Sequence, residues 1–150
     1  MMNDAAKFNI VPTVENYPGA DSPLVLAEDF LDWQREFPDL QLCFDDGNAS
    51  GGGDPAENLR KCLPWLRHVH MKDWRIFDGP GERRVKMMDG RYYYPALIGE
   101  GVVNHAGVLE VLAQHNYQGC INLEYEENTI PPLEAMEKAM SFLNDLASKI

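Results

Sequence analysis

Four segments with the composition of β-strands end in side chains that could bind a metal ion. These side chains are Glu15, Asp45 or Asp46, His70 and Glu124. Because the carboxyl ends of parallel strands meet at the same face of an α/β protein, we expect these side chains to lie close together. Carboxylates combined with one imidazole favour Mn²⁺, Mg²⁺, Co²⁺ or Zn²⁺ over metals that prefer thiolate ligands. The sequence therefore predicts one divalent metal site at this face.

Each of these side chains, taken alone, also has a simpler structural interpretation. A single glutamate at the end of a strand is commonly solvated, and Asp45-Asp46 before Gly47-Asn48 is typical of a turn. His68 shares a face with His70 because side chains alternate along a strand, but it lies deeper, and we predict a supporting role for it. A shared metal site is favoured because all four strands end in possible ligands.

The predicted strands alternate with segments of helical periodicity, so a strand and a helix follow each other four times. The predicted strands cover residues 9–15, 40–44, 67–71 and 120–125, and the predicted helices cover residues 23–36, 55–63, 105–115 and 131–148. The residues predicted to cap the first three helices are Ser22, Asp54 and Asn104. Such alternation implies parallel strands joined by right-handed crossovers. The sequence therefore predicts the α/β fold class, with residues 1–150 in a single domain.

The longest stretch without helical periodicity, residues 73–101, follows the third predicted strand. Loops of this length in a compact domain usually carry local structure or function. Within it, residues 85–88 and 91–94 have strand composition and flank Asp89-Gly90, which suits a type I′ turn. We therefore predict a small β-hairpin inside the loop.

The composition excludes several classes of protein. A net charge of -11 argues against a nucleic-acid-binding role, which requires basic residues. No apolar run approaches the roughly 18 residues of a membrane span, and the N-terminal residues lack signal-peptide features, which favours the cytoplasm. The three cysteines, Cys43, Cys62 and Cys120, are odd in number and widely spaced, so neither a disulfide framework nor a thiolate metal site is predicted.

Five short motifs occur in a distinctive order along nearly the whole chain. They are Thr13-Val14-Glu15-Asn16, Phe44-Asp45-Asp46-Gly47-Asn48, His68-Val69-His70-Met71-Lys72-Asp73, Gly99-Glu100-Gly101 and Leu123-Glu124. Each motif alone is weakly specific, whereas the ordered set is more specific. The set resembles the xylose isomerase-like TIM-barrel superfamily, which contains sugar phosphate isomerases, epimerases and related dehydratases.

This resemblance implies a (β/α)₈ barrel with one divalent metal at the carboxyl ends of its strands. The implied metal ligands are Glu15, Asp45, His70 and Glu124, and the two glutamates are also the implied catalytic acid/base pair. Asp45 rather than Asp46 matches the family's Asp-x-Gly-His pattern, in which Asn48 replaces the histidine. The residues implied to contact substrate are Asn48, Lys72, Asp73 and Glu100.

The implied activity is that of a metal-dependent sugar, or sugar phosphate, isomerase or epimerase. Such an enzyme moves a proton on a carbon beside a carbonyl group through an enediolate. Two alternatives remain open. The first is another kind of enzyme, a dehydratase of the same superfamily. The second is a non-catalytic or truncated barrel fragment that needs a partner half. The apurinic-endonuclease branch is disfavoured by the net charge of -11 and by only 4 histidines.

The resemblance also bears on how many strands the chain supplies. The matched motifs belong to the last four of the eight strands, whereas a whole barrel of this type needs about 250 residues. We therefore expect a half barrel with exposed strand edges, and exposed edges favour association. The expected partners are a second copy of the chain or a complementing N-terminal half, together with a small sugar-like substrate.

Overall fold

Seven strands form two separate sheets in the part of the chain that the structure, a computed structural model, describes, namely Ala5 and residues 7–150. The strands are β1 (Thr13–Glu15), β2 (Gln41–Asp45), β3 (Leu66–Met71), β4 (Asp73–Phe77), β5 (Val85–Lys86), β6 (Tyr92–Ala96) and β7 (Ile121–Leu123). The described helices are α1 (Ala27–Glu36), α2 (Asp46–Ser50), α3 (Pro55–Cys62), α4 (His105–Gln114) and α5 (Pro132–Ala147), with a 3-10 turn at Leu63–Trp65.

The larger sheet is parallel and carries the strand ends predicted to bind metal. Its strands lie in the order β1, β2, β3, β7. The helices that follow these strands form a row in which α1 packs on α3, α3 on α4 and α4 on α5. None of the described helices is long and apolar enough to cross a membrane. The predicted parallel α/β fold class is thereby confirmed.

The main apolar core lies between the parallel sheet and the row of helices. It includes Leu42 and Phe44 of β2 together with Val69 and Met71 of β3, all buried. Burial of each such side chain stabilises the fold by about 1.5–3 kcal/mol. Because side chains alternate along a strand, packing these residues on the helices places Asp45 and His70 on the opposite face of the sheet.

The predicted limits of the first strand and first helix are wrong. Residues 7–9 form a turn in which Asn9 has a φ of 55°, so the first strand is limited to Thr13–Glu15. The first helix begins at Ala27 rather than after Ser22, because the Asp29 carboxylate accepts hydrogen bonds from the amides of residues 25 and 26. Ser22 and Asp29 are alternative capping residues for this helix. Their spacing in the sequence does not show which of them sets the first helical residue.

Helix α2 replaces the turn predicted after the second strand. Asp45 is its N-cap residue, and the Asp45 carboxylate accepts a hydrogen bond of 2.6 Å from the backbone amide of Asn48. The predicted caps of the next two long helices are confirmed: Asp54 accepts from Ala56 N, and Asn104 accepts from Gly107 N. The three cysteines form no disulfide, but Cys120 is exposed just before β7 rather than lying within a strand.

The second sheet is antiparallel and occupies the long loop after β3. The predicted hairpin is confirmed, since β5 pairs with β6 across a turn in which Gly90 has a φ of 82°. Strand β4 pairs with the other edge of β6 and was missed by the sequence analysis. Trp74 of this strand packs with Met87 and Tyr93 in a second apolar cluster.

Candidate metal centre

Four side chains from four strand ends come together at the carboxyl face of the parallel sheet. One ligand atom from each of Glu15, Asp45, His70 and Glu124 lies within 4.8 Å of the others. Nδ1 of His70 lies 3.2 Å from a Glu15 oxygen and 2.9 Å from a Glu124 oxygen. Three carboxylates around one imidazole form a donor set suited to a hard or borderline divalent cation.

Strand register explains why these side chains converge. Asp45 stands directly opposite His70 in the pairing of β2 with β3. Glu15 is the last residue of β1, and Glu124 directly follows β7, where its backbone amide donates to Met71 O. The two glutamates therefore approach Asp45 and His70 from the two outer strands of the sheet.

Asp45 supplies the clearest sign that a cation fits. Its side chain is fully buried, and one carboxylate oxygen, Oδ2, has no hydrogen-bond partner among the described residues. Burial raises the pKa of the Asp45 carboxyl well above its usual range, while the nearby Lys72 ammonium opposes that shift. A buried carboxylate with an unsatisfied oxygen is unfavourable unless a cation compensates it, so the residues present fit a metal ion.

Asn16 holds the main chain of Asp45 in place. The Asn16 side chain accepts from Asp45 N at 2.8 Å and donates to Asp45 O at 2.9 Å. Asn16 is itself buried, so this pair of bonds joins the ends of β1 and β2 away from water. Asn16 follows Glu15 in the first motif, but its residue type and position alone predict no role for it.

Lys72 lies beside the four candidate ligands. Its ammonium nitrogen is 2.8 Å from Glu124 Oε2, 3.6 Å from Asp45 Oδ2 and 3.7 Å from Glu126 Oε1. Burial disfavours the charged amine, but the surrounding carboxylates outweigh burial and raise the pKa of Lys72 above its ordinary value. A permanent positive charge thus stands against two of the candidate ligands.

Cys43 also approaches this cluster. Its sulfur lies within the same 4.8 Å limit of Glu15 and His70. Burial, followed by the nearby carboxylates, raises the pKa of the Cys43 thiol to about 12.

The four residues predicted to contact substrate occupy different environments. Lys72 reaches the metal centre, whereas Asn48 is fully buried and donates to Asn16 O at 2.9 Å. Asp73 is buried and accepts four backbone amides, and Glu100 is exposed and paired with Arg75 at 2.6 Å. A substrate-binding role for each of these residues stays a prediction.

A cavity of about 460 Å³ adjoins the metal centre through Lys72. It is lined by Tyr17, Pro18, Lys72, Trp74, Arg83, Val85, Pro95, Tyr125, Glu126 and Asn128. Three aromatic rings and several polar groups thus surround a space beside the cluster of carboxylates. Such a pocket, with apolar walls and a few convergent polar groups, is typical of small-molecule sites.

Comparison with known sequences assigns the chain to a family. A profile described as "Xylose isomerase-like TIM barrel" matches residues 1–146. The chain belongs to this family. The resemblance inferred from the order of the motifs is therefore confirmed.

Individual members of the family match the chain over part of their own length. Inosose dehydratase of Bacillus anthracis is 32% identical over 117 residues, covering 72% of this chain and 38% of that protein. The crystal structure of a D-tagatose 3-epimerase-like protein superposes on 99% of this chain and 52% of its own, with a TM-score of 0.72 and 24% identity.

A third member was crystallised with magnesium. It is a xylose isomerase-like TIM barrel protein from Mycobacterium smegmatis, with a TM-score of 0.69 and 19% identity over 97% of this chain and 47% of its own. The chain therefore spans less than half of its curated relative and about half of each solved barrel. The predicted partial barrel is confirmed.

Two groups of polar residues near the centre were missed by the sequence analysis. The first is a buried network in which His105 joins Asp46 and Asp73. The second ties Arg75 of β4 to Glu127 in the segment after β7. A His as the first residue of a helix and an Arg in a loop carry no distinctive local signal, so only tertiary contacts identify these groups.

Proposed function

We propose that this protein is a metal-dependent sugar isomerase or epimerase whose metal ligands are Glu15, Asp45, His70 and Glu124. The observation that carries this proposal is the convergence of these four side chains, together with a buried Asp45 oxygen that accepts no hydrogen bond from the described residues. A divalent ion bound there would polarise the carbonyl and hydroxyl oxygens of a substrate. Membership of the xylose isomerase-like family supports the same chemistry.

Glu15 and Glu124 are the residues proposed to move the proton. They reach the centre from β1 and from the end of β7, on opposite sides of Asp45 and His70. A carboxylate on one side can remove a proton from the carbon beside a carbonyl, and a carboxyl group on the other side can return one. Return to the opposite face of the carbon epimerises it, and return to the neighbouring carbon isomerises the sugar.

Dehydration is the second candidate reaction, and one comparison favours it. The Bacillus anthracis relative, at 32% identity, is an inosose dehydratase. A dehydratase would remove the same kind of proton but then release a neighbouring hydroxyl as water. The same centre and the same glutamates serve both reactions, so the product distinguishes them.

The charges around the cavity favour an uncharged sugar or polyol over a sugar phosphate. Among the described residues, Lys72 and Arg83 are the cations that line the cavity. Lys72 is held by carboxylates, and Arg83 donates to the backbone carbonyls of Glu126 and Glu127. The Lys72 charge is thus balanced by carboxylates, and the Arg83 donors in these bonds are already occupied, so few cationic donors are left for a phosphate.

The segment after β7 strengthens this view of the substrate. TIM barrels commonly bind phosphate at the loops after their last two strands and at a helix N-terminus there. Here that segment contains Glu124, Glu126 and Glu127, and it leads into Pro131 and Pro132, which lack amide hydrogens. Acids and prolines at this position oppose phosphate binding, whereas aromatic walls accept the C–H faces of a sugar ring.

Calorimetric titration with Mn²⁺ and then activity measurements test the proposal. We expect one binding site in the unmodified chain and an affinity about 100-fold weaker in Glu124→Gln. In the completed barrel with Mn²⁺ bound, we expect solvent deuterium to enter free keto sugars, and an inosose to lose water if the second reaction is correct. Absence of Mn²⁺ binding would contradict the proposed metal centre. Activity confined to phosphorylated sugars would contradict the proposed preference for an uncharged substrate.

We also propose that the working enzyme contains the strands that complete the barrel. Strands β1 and β7 are the two outer strands of the parallel sheet and each has an unpaired edge among the described residues. All four proposed metal ligands come from this chain, so metal binding can be tested without a partner. A second copy of the chain, or a complementing half, would cover the open edges and the exposed inner face.

A further inference from the structure

A buried histidine joins two acids behind the candidate metal centre. His105, the first residue of α4, has Nδ1 2.6 Å from Asp46 Oδ2 and Nε2 3.5 Å from Asp73 Oδ2. All three side chains are at most 2% exposed. Burial disfavours a charged ring, but the two acids outweigh burial and raise the pKa of His105 to about 10. The ring is therefore a cation shared by two carboxylates.

Both acids hold the main chain on either side of Lys72. Asp46 Oδ1 accepts a hydrogen bond of 3.2 Å from the backbone amide of Lys72. Asp73, the next residue, accepts from Trp74 N and from the amides of Gly99, Gly101 and Val103 at 2.9–3.1 Å. His105 thus links the segment that carries Lys72 to the loop that contains Gly99 and Gly101.

Helix α2 also packs against Lys72. A Cβ atom at Gly47 would lie 2.5 Å from Lys72 Cγ and 2.7 Å from Lys72 O, so backbone and side chain of Lys72 pack directly on this glycine. The ammonium at the other end of the side chain meets Glu124 and Asp45. Little room is left for Lys72 to move while the buried network is intact.

We propose that His105 is a positioning residue that fixes Lys72 against the carboxylates of the candidate metal centre. His105 touches none of the four proposed ligands, and it acts through Asp46 and Asp73 on the main chain of Lys72. The inference rests on the proposed metal centre, because the consequence of a well-placed Lys72 is competition between its ammonium and the metal for Glu124 and Asp45.

A double-mutant cycle between His105 and Lys72, read out as Mn²⁺ affinity, tests this inference. Removing the ammonium in Lys72→Met should tighten Mn²⁺ binding about tenfold, because a competing charge is lost. His105→Asn keeps a neutral donor near Asp46 and should tighten binding in the same direction by about threefold to tenfold. In the double variant, His105→Asn should add nothing to the effect of Lys72→Met.

His115→Asn is the matched control, since His115 is exposed just beyond the other end of α4. It should leave the Mn²⁺ affinity unchanged. Far-UV circular dichroism establishes that each variant is folded, and His105→Gln replaces His105→Asn in the cycle if the latter does not fold. Hydrogen exchange at the amides of Lys72, Gly99, Gly101 and Val103 should also rise about tenfold or more in the His105 variant and not in the control.

The outcomes separate this inference from the proposed function. If the two substitutions act independently on Mn²⁺ affinity, or if either one leaves it unchanged, the positioning role is wrong while the metal centre stands. If His105 only stabilised the fold, His105→Asn would change the Mn²⁺ affinity by the same factor with and without Lys72. If the unmodified chain fails to bind Mn²⁺, the proposed metal centre fails, and the role of His105 fails with it.

Discussion

At the scale of single residues, adjacent acids in this protein have different tasks. Asp45 and Asp46 are neighbours in sequence and both are fully buried, yet only Asp45 belongs to the candidate metal centre. Asp46 faces the backbone of Lys72 and the ring of His105. The end of β2 and the start of α2 meet between these two residues, which turns their side chains in different directions.

Replacing each acid by its amide should reveal this division. Asp45→Asn should weaken Mn²⁺ binding about 100-fold or more because it removes a proposed ligand. Asp46→Asn, the matched control, should change the Mn²⁺ affinity less than about tenfold, since Asp46 is not a proposed ligand and lies only in the surroundings of the proposed ligands. Calorimetric titration measures both. Equal losses of Mn²⁺ affinity in the two variants would show that Asp45 and Asp46 do not have different roles in metal binding.

The charge of His105 should make stability depend on pH in the alkaline range. The pKa of His105 in the folded protein is about 10, above the ordinary value of 6.5 for a free side chain. A raised histidine pKa means that the stabilisation is fully present below the unfolded pKa and is lost as pH rises through the folded pKa. Removing one partner of a buried ion pair costs about 3–5 kcal/mol.

We therefore expect His105→Asn to lower the free energy of unfolding by about 3–5 kcal/mol near neutral or slightly acidic pH. The difference from the unmodified protein should shrink as the pH approaches about 10. Urea unfolding of both proteins at several pH values measures this difference, with His115→Asn as the control. A difference that stays constant across that range would mean that the ring is not charged in the folded state.

At the scale of elements, a five-residue helix determines how closely the strands approach. Helix α2 lies directly after β2 and presents Gly47 to the junction between β3 and β4. Side chains of Lys72 and Trp74 and the Lys72 carbonyl fill the space where a Cβ atom would stand. The same helix carries the amide that Asp45 caps. The geometry of the candidate metal centre thus depends on a small residue at one position of this helix.

Gly47→Ala should therefore destabilise the protein by about 1–3 kcal/mol, as expected when a methyl group is forced into a filled space. The nearest contacts include a backbone oxygen 2.7 Å away, which cannot turn aside as a flexible side chain can. Gly79→Ala is the control, because nothing lies within 4 Å of its added Cβ. Urea unfolding should show a clear loss for the first variant and little change for the second.

At the scale of the whole molecule, both edges of the parallel sheet are unpaired among the residues that the structure describes. Its outer strands are β1 and β7, and the chain corresponds to about half of the solved barrels it matches. Large apolar side chains exposed near β1 and β7 include Ile10, Val11 and Ile121. Unpaired edges beside exposed apolar residues favour the addition of further strands.

The expected consequence is self-association when the chain is studied alone. Light scattering at increasing concentration should reveal a dimer or larger assembly, and Ile121→Lys at the open edge of β7 should weaken association about tenfold. Leu133→Lys, on an exposed position of α5, is the control and should have no effect. A monomer at every concentration tested would contradict self-association and leave a separate complementing half as the partner.

Several features of the fold were determined by local sequence and could be predicted from it. Alternating strand and helix patterns predicted the parallel α/β class, because each pattern buries one face regardless of its neighbours. Asp54 and Asn104 cap their helices as predicted, since the relevant bonds lie within three residues. The four strand-end residues were predicted to converge because parallel strands share one carboxyl face, and Glu15, Asp45, His70 and Glu124 do converge.

Other features depend on contacts between residues far apart in sequence, and only the tertiary structure decides them. His105 is 59 residues from Asp46, and no local pattern indicates that the two would meet in a dry interior. The same holds for Lys72 and Glu124, which are 52 residues apart, and for Asn16, which holds Asp45 across 29 residues. The sequence by itself determined which side chains stand at the strand ends. The packing of α2 and α4 behind them decided which of those side chains are held in place. A buried charged group is removed from water, so only groups of the protein itself can stabilise it.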